Sequence, residues 1–141
     1  DPKFYKEIIK LTNASYQPDK NVYEIVSLLK EEEYDQYLFS NIGPEPLLLL
    51  QKDYPRYFNQ FNTLSNSINS TTPEKNNWIW KPQRKSYEKV LRYVDKKAHM
   101  TIFIDDNIHN VEEAQKNGVT SILFISAAQL KNDLDKLLEI E

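Results

Sequence analysis

The sequence predicts an α/β fold built on a doubly wound parallel sheet. Strand-like and helical segments alternate from Val22 onward, which is the pattern of such sheets. Residues 101–104 and 121–124 are nearly continuous apolar runs, as expected for strands that are covered on both faces. Gly118, one of only two glycines in the chain, follows the helical pattern between these runs, where helices commonly end.

The first half of the chain contains a helix, a strand and a second helix. A helix is predicted from Val22, with apolar residues at helical spacing and an acidic run at its end. Residues 37–40, YLFS, are a strand candidate, and a helix is predicted to start near Pro44. The four successive leucines 47–50 are too few for a membrane span and predict a buried turn of this helix.

The middle of the chain is the least regular part. Residues 61–64 are a weak strand candidate. Residues 65–77 are almost wholly Ser, Asn, Thr, Pro and charged residues, and such a segment has little apolar area to bury. We therefore expect residues 65–77 to be a mobile excursion. A helix containing Tyr87 and Val94 follows Pro82.

The last third is the clearest. A strand at 101–104 is followed by a helix that ends at Gly118, and a strand at 121–124 comes next. Ser126 and Gln129 match the S-x-x-Q capping box that opens helices. This motif predicts a final helix with Leu130, Leu134, Leu137 and Leu138 facing inward.

Composition limits the function. With 141 residues, 40% of them hydrophobic, the chain can form one sizeable core. Its net charge of −3 and the lack of an obvious basic stripe argue against nucleic acid as the main partner. Without cysteine, disulfides and thiolate metal sites are excluded. No apolar run approaches the length of a membrane span, and no signal peptide is visible, so we expect a cytoplasmic protein without a membrane partner.

Two adjacent carboxylates, Asp105 and Asp106, follow the strand at 101–104. Ligands of open α/β sheets bind at the carboxyl ends of the strands. Neighbouring carboxylates repel each other unless a cation lies beside them, and oxygen ligands suit Mg²⁺. Alternatively, Asp106 or Asn107 caps the following helix and Asp105 faces water.

Ser40 and Asn41 end the strand at 37–40, just before a turn that contains Gly43. The Ser40 hydroxyl and backbone N–H groups of this turn are suited to a phosphate oxygen. Alternatively, this is an ordinary strand-to-helix turn in which Ser40 bonds to its own backbone. Lys81 precedes Pro82 and is expected to be extended; a lone lysine is normally solvated.

Three segments in order, YLFSNIGPE, KPQRKSYEKVL and TIFIDDNIHNVEEAQKNGVTSILF, resemble the motif set of the haloacid dehalogenase-like (HAD-like) hydrolase superfamily, especially its small phosphatases with a helical cap. The resemblance covers residues 22–138 and implies a Rossmann-like sheet. It implies that Ser40 and Asn41 bind the transferring phosphoryl group and that Lys81 neutralises it. It also implies that Asp106 and Asp105 hold Mg²⁺, with Asn110 supporting them.

One motif of that superfamily is missing. Its members carry a nucleophilic aspartate, followed two residues later by a second aspartate, after a first strand that lies in the middle of the sheet. Buried backbone groups left unpaired by a missing central strand cost about 1–3 kcal/mol each. We therefore expect an upstream segment or another chain to supply this strand, residues 1–21 to be the remnant of a helical cap, and residues 22–141 to be the core.

These observations predict the C-terminal portion of a Mg²⁺-dependent phosphohydrolase that acts on a small phosphorylated molecule. Because the nucleophile is missing, we expect no turnover from the chain alone. One alternative is a catalytically inactive relative that serves as a binding or regulatory module. Another is a dehalogenase of the same fold, which the paired Asp105 and Asp106 disfavour because dehalogenation needs no metal.

Overall fold

The computed structural model describes residues 7, 16–62, 68–69 and 79–138. The chain divides into two compact units, Asp1–Thr72 and Pro73–Glu141. The fold is mixed α/β, with parallel strands and mostly helices, so the α/β part of the predicted fold class is confirmed. Among the described residues, no helix is long and apolar enough to cross a membrane.

The first unit contains short strands and helices. Its elements are α1 (Lys20–Glu31), β1 (Phe39–Ser40), α2 (Pro44–Asp53), α3 (Pro55–Phe58) and β2 (Ile68–Asn69). β1 and β2 pair in parallel, with Phe39 opposite Ile68 and Ser40 opposite Asn69. The first unit is therefore α/β by itself.

The helix predicted from Val22 is present and begins two residues earlier, at Lys20. Its start is set by Asp19, whose carboxylate accepts hydrogen bonds from the backbone N–H groups of Asn21 and Val22. Such a side chain satisfies donors that have no partner within the helix. The beginning of α1 is therefore encoded by a local cap.

The leucine run belongs to α2, but the expectation of a buried turn is wrong for most of it. Leu47 is 8% exposed, whereas Leu48 is 65% and Leu49 37% exposed. Successive residues of a helix point in directions about 100° apart. Four neighbouring residues therefore cannot all face one core.

The strand expected at 61–64 is not observed in its described part, because Phe61 and Asn62 are non-helical residues outside any strand. Asn62 instead donates its backbone N–H to the carbonyl of Gln36, at 2.6 Å. Thr63 and Leu64 lie outside the described residues. So does most of the excursion at 65–77, except that Ile68–Asn69 form β2.

The second unit contains the clearest βαβ arrangement. Its elements are α4 (Arg84–Val94), a 3₁₀ turn (Ala98–Met100), β3 (Ile102–Asp105), α5 (Ile108–Lys116), β4 (Thr120–Leu123) and α6 (Ala127–Leu138). β3 and β4 pair in parallel from Ile102 opposite Thr120 to Asp105 opposite Leu123. The backbone N–H of Phe124 continues the ladder by donating to the Asp105 carbonyl, at 2.9 Å. Asp105 is therefore part of the strand.

The predicted helix ends of the second unit are confirmed. Gly118 has φ +77°, a conformation in which a side chain is strained. The capping box is present, since Ser126 Oγ accepts the Gln129 N–H at 3.2 Å and Gln129 Oε1 lies 3.4 Å from the Ser126 N–H that donates to it. In α6, Leu130 and Leu134 are buried, but Leu137 is exposed, so its predicted inward position is wrong.

Candidate functional site

A buried ion pair lies at the carboxyl end of β3. Lys81 Nζ is 2.5 Å from Asp105 Oδ2, and the two side chains are only 8% and 7% exposed. Lys81 comes from the turn before α4, and its peptide bond to Pro82 is cis. Charged groups are rarely buried unless they are paired. This pair therefore fixes the turn before α4 at the end of β3.

The second oxygen of Asp105 is also engaged. Asp105 Oδ1 accepts from the backbone N–H of Asn107 at 2.9 Å and from the side-chain amide of Asn110 at 3.0 Å. Burial by itself raises the pKa of Asp105, but hydrogen bonds from Lys81, Asn107 and Asn110 outweigh it and lower the pKa. The group is consequently an ionised carboxylate at neutral pH.

Asn110 and Lys81 are held in turn by α4 and β3. The Tyr87 hydroxyl donates to the backbone carbonyl of Asn110, at 2.8 Å. The Tyr87 ring meets the Phe103 ring edge to face, with centroids 5.5 Å apart. Lys81 Nζ lies 5.4 Å from the centroid of the same Phe103 ring. Burial, together with the Asp105 charge, raises the pKa of Tyr87.

Asp106 has a different environment from Asp105. It is exposed in the bend that follows β3. The cap of α5 is Asn107, whose side chain accepts the His109 N–H at 2.9 Å. The capping alternative is thus met by Asn107, and the Asp106 carboxylate is not used for it. Capping and metal binding are compatible here because they use different residues.

The two carboxylates of Asp105 and Asp106 are of the kind and number that Mg²⁺ binds. Mg²⁺ is commonly held by one or two carboxylates and completes its shell with water and substrate oxygens. The exposed Asp106 can supply one oxygen directly. Asp105 is already engaged by Lys81 and Asn110, so it fits a contact through water better. Among the described residues, no three His, Cys, Asp or Glu side chains form a metal-binding group.

Ser40 and Asn41 lie at the carboxyl end of β1, in the first unit. Ser40 is partly buried and Asn41 is exposed. α2 begins directly after Gly43, and both Pro44 and Pro46 in its first turn lack an N–H. A phosphate bound here would depend on Ser40 and the turn more than on the end of the helix. Whether Ser40 and Asn41 act together with Lys81 stays a prediction.

The structure thus brings together Lys81, Asp105 and Asn110, and leaves Asp106 exposed beside them. Sequence reasoning missed Tyr87, which looked like an ordinary apolar position of α4. It also missed the Asn107 N–H, although an Asp that accepts the N–H two residues later is a common turn. The D-x-N spacing was the available signal for that bond.

Comparisons with known proteins do not assign this chain to a family. No family model matches the chain, and no curated protein matches it.

Proposed function

We propose that this chain is the C-terminal portion of a Mg²⁺-dependent phosphohydrolase of the HAD-like type, acting on a small phosphorylated molecule. The proposal includes one doubly wound Rossmann-like sheet that unites the strands described above. The observation that carries it is the buried Lys81–Asp105 pair at the carboxyl end of β3. This cation lies at the sheet edge where ligands bind in α/β folds.

Lys81 has two tasks in this proposal. Its ammonium group pairs with Asp105 and offsets the negative charge of a phosphate ester that approaches a carboxylate. Asn110 holds the other Asp105 oxygen, so the carboxylate keeps its orientation while a ligand binds. The network is complete before substrate arrives, which is the condition for electrostatic stabilisation without reorganisation.

Asp106 is the proposed direct ligand of Mg²⁺, and Asp105 would contact the ion through water. When bound, Mg²⁺ supplies positive charge that stabilises the transferring phosphoryl group. Ser40 and Asn41 are proposed to bind the phosphoryl oxygens. The remaining requirement is a nucleophile.

The only D-x-D sequence is Asp133-Leu134-Asp135, and it does not follow a strand. It lies within α6, where Asp133 accepts from Gln129 and Asp135 pairs with Lys131 at 2.7 Å. We therefore propose that the nucleophilic aspartate and its strand come from an upstream segment or another chain.

Mg²⁺ binding tests the metal assignment. Asp106→Asn is compared with the parent chain by titration calorimetry, and Asp95→Asn serves as control because Asp95 is also exposed and belongs to the same unit. We expect weak binding that Asp106→Asn abolishes and Asp95→Asn leaves unchanged. Equal binding by all three proteins rules out Asp106 as the ligand.

Activity tests the reaction. The chain alone is expected to show no Mg²⁺-dependent hydrolysis of p-nitrophenyl phosphate. Addition of a strand that carries D-x-D, in the same chain or in trans, should produce activity that Lys81→Ala or Asp106→Ala removes. Robust hydrolysis by the chain alone contradicts the missing nucleophile and makes Asp105 the first carboxylate to test.

A catalytically inactive binding module is the second candidate. It is favoured by one observation: in the described strands, the only carboxylate at a carboxyl end is Asp105, which is already held by Lys81, Asn107 and Asn110. The activity measurement separates the two functions, since an inactive module binds phosphate without turnover even when the strand is supplied.

A further inference from the structure

A second charged feature of the second unit lies along α4. A cavity of about 510 Å³ is lined by side chains of this helix and by one residue that precedes it. Among the residues that the structure describes, the lining consists of Ile79, Lys85, Glu88, Lys89, Arg92 and Tyr93. None of them belongs to the proposed phosphohydrolase site.

The charge of this cavity is predominantly positive. Lys85, Lys89 and Arg92 are spaced four and three residues apart, so they share one face of the helix. Glu88 is the acid among the lining residues that the structure describes, and it is engaged by Arg84, whose Nε lies 2.8 Å from Glu88 Oε1. Glu88 is therefore shared with Arg84 and offers little compensation to Lys85 and Arg92.

Neither Lys85 nor Arg92 makes an ion pair within the described part of the chain. Lys89 lies deeper, with its Nζ 5.7 Å from the centroid of the Tyr93 ring. Like charges at these spacings repel each other and destabilise a helix. A bound anion would remove this repulsion.

The local charge also departs from that of the whole chain. The chain carries net charge −3, whereas α4 contains four basic residues and one acidic residue. The lack of a basic stripe expected from composition is therefore wrong for this helix. The net charge of a whole chain does not indicate where its charges lie. It therefore gives no sign of cations that helical spacing places on one face.

We propose that the α4 cavity, as this cavity is called below, binds a small polyphosphate anion. Its volume of about 510 Å³ lies within the range of about 300–1,000 Å³ that is usual for small-molecule sites. Lysine and arginine are the side chains that bind phosphate oxygens most strongly. Tyr93 offers an exposed ring on which the base of a nucleotide can stack.

Binding of inorganic pyrophosphate to the full chain tests this proposal. The titration is made at constant ionic strength with EDTA and without Mg²⁺, so that no metal ion at Asp106 attracts the anion to the phosphohydrolase site. Lys85→Gln combined with Arg92→Gln should weaken binding at least about tenfold, because charge-assisted bonds to phosphate are lost. Circular dichroism verifies that the variant is folded.

A charge-matched control is Lys116→Gln combined with Lys136→Gln, which removes two cations of the same unit that do not line the cavity. This control should retain the affinity of the parent chain within about twofold. Equal weakening in both double variants, or no binding by the parent chain, overturns the proposal.

Parallel titrations with ATP and with duplex DNA identify the source of the phosphates. Tighter binding of ATP than of pyrophosphate, lost on Tyr93→Ala, indicates a nucleotide, and equal affinities indicate an inorganic polyphosphate. Tighter binding of the duplex, lost in the Lys85 and Arg92 variant, overturns a small-molecule site. Failure of the phosphohydrolase proposal would leave this result unchanged, since no residue is shared.

Discussion

β1 and β3 are both strands whose carboxyl end carries a polar side chain and leads into a helix. β3 pairs with β4 over four residues, whereas β1 pairs with β2 over two. After β3, the side chain of Asn107 caps α5; after β1, the N-cap is Gly43, which offers no side-chain hydrogen bond. The helix after β3 thus begins with a side-chain cap, and the helix after β1 does not.

The difference shows how a short sequence positions a charged group. Asp105 accepts bonds from residues two and five positions further along the chain, so β3 and the start of α5 determine much of its orientation. Only Lys81 is distant in sequence. At β1 the pairing partner lies in β2, and the turn after Ser40 contains glycine and proline in place of a capping side chain.

The largest expected difference between the two strand ends is in stability. Lys81→Met leaves the buried Asp105 without its cation, and breaking such a pair typically costs about 3–5 kcal/mol. Ser40→Ala removes one hydroxyl at a partly buried position and should lower the free energy of unfolding by about 1 kcal/mol. Urea denaturation followed by circular dichroism measures both.

The double variant Lys81→Met, Asp105→Leu is the control for this prediction. Replacement of a whole buried ion pair by apolar residues is often neutral or stabilising, so the double variant should be more stable than Lys81→Met. If Lys81→Met lowers the free energy of unfolding no more than Ser40→Ala does, the Lys81–Asp105 ion pair does not hold the turn before α4.

Much of the second unit was predictable because its signals are local. Gly118, the Ser126 capping box and the apolar runs of β3 and β4 each act within a few residues. The adjacent Asp105 and Asp106 were recognisable for the same reason. The sequence does not indicate that Asp105 is largely buried and Asp106 is exposed. This difference arises because the β3–β4 hydrogen bonds extend through Asp105 and not to Asp106.

The first unit was harder to predict because long-range contacts decide it. A strand was expected at 61–64, yet β1 pairs with Ile68–Asn69, within a segment that is polar overall. Which leucines of α2 are buried depends on which face of this helix packs against the core. The run of four leucines does not indicate that face. One long-range contact of the second unit was also not predictable: the Tyr87 hydroxyl donates to the Asn110 carbonyl, although the helical pattern indicates only a packing role for Tyr87.

The two glycines of the chain, one in each unit, are expected to differ in their tolerance of a side chain. Gly118→Ala places a side chain at φ +77° and should destabilise the chain by about 1–2 kcal/mol. Gly43 has φ −68°, and a Cβ there would meet Pro46 Cδ at an ordinary 3.5 Å. Gly43→Ala should therefore change stability by less than about 0.5 kcal/mol.

Thermal unfolding of the two alanine variants measures this contrast. Gly118→Asn serves as a control, since asparagine tolerates positive φ better than alanine does. Equal losses for Gly118→Ala and Gly43→Ala would mean that the turn after α5 does not require its left-handed conformation.

The smallest expected effect concerns two tyrosines, one in each unit, whose pKa values shift in opposite directions. The hydrogen bond that Arg56 donates to Tyr23 lowers the pKa of Tyr23, and burial raises the pKa of Tyr87. Difference titrations of tyrosinate absorbance, parent chain minus Tyr23→Phe or Tyr87→Phe, should have midpoints below and above the ordinary value of about 10.

Tyr87→Phe also tests the role of its hydroxyl in stability. It should lower the free energy of unfolding by about 1 kcal/mol near neutral pH, because the bond to the Asn110 carbonyl is lost. Since the folded pKa of Tyr87 is raised, its contribution is complete below a pH of about 10 and decreases as pH rises toward the folded value. The stability difference between the parent chain and Tyr87→Phe should therefore shrink in alkali. A difference that is constant across this range would show that the Tyr87 hydroxyl is not buried against α5.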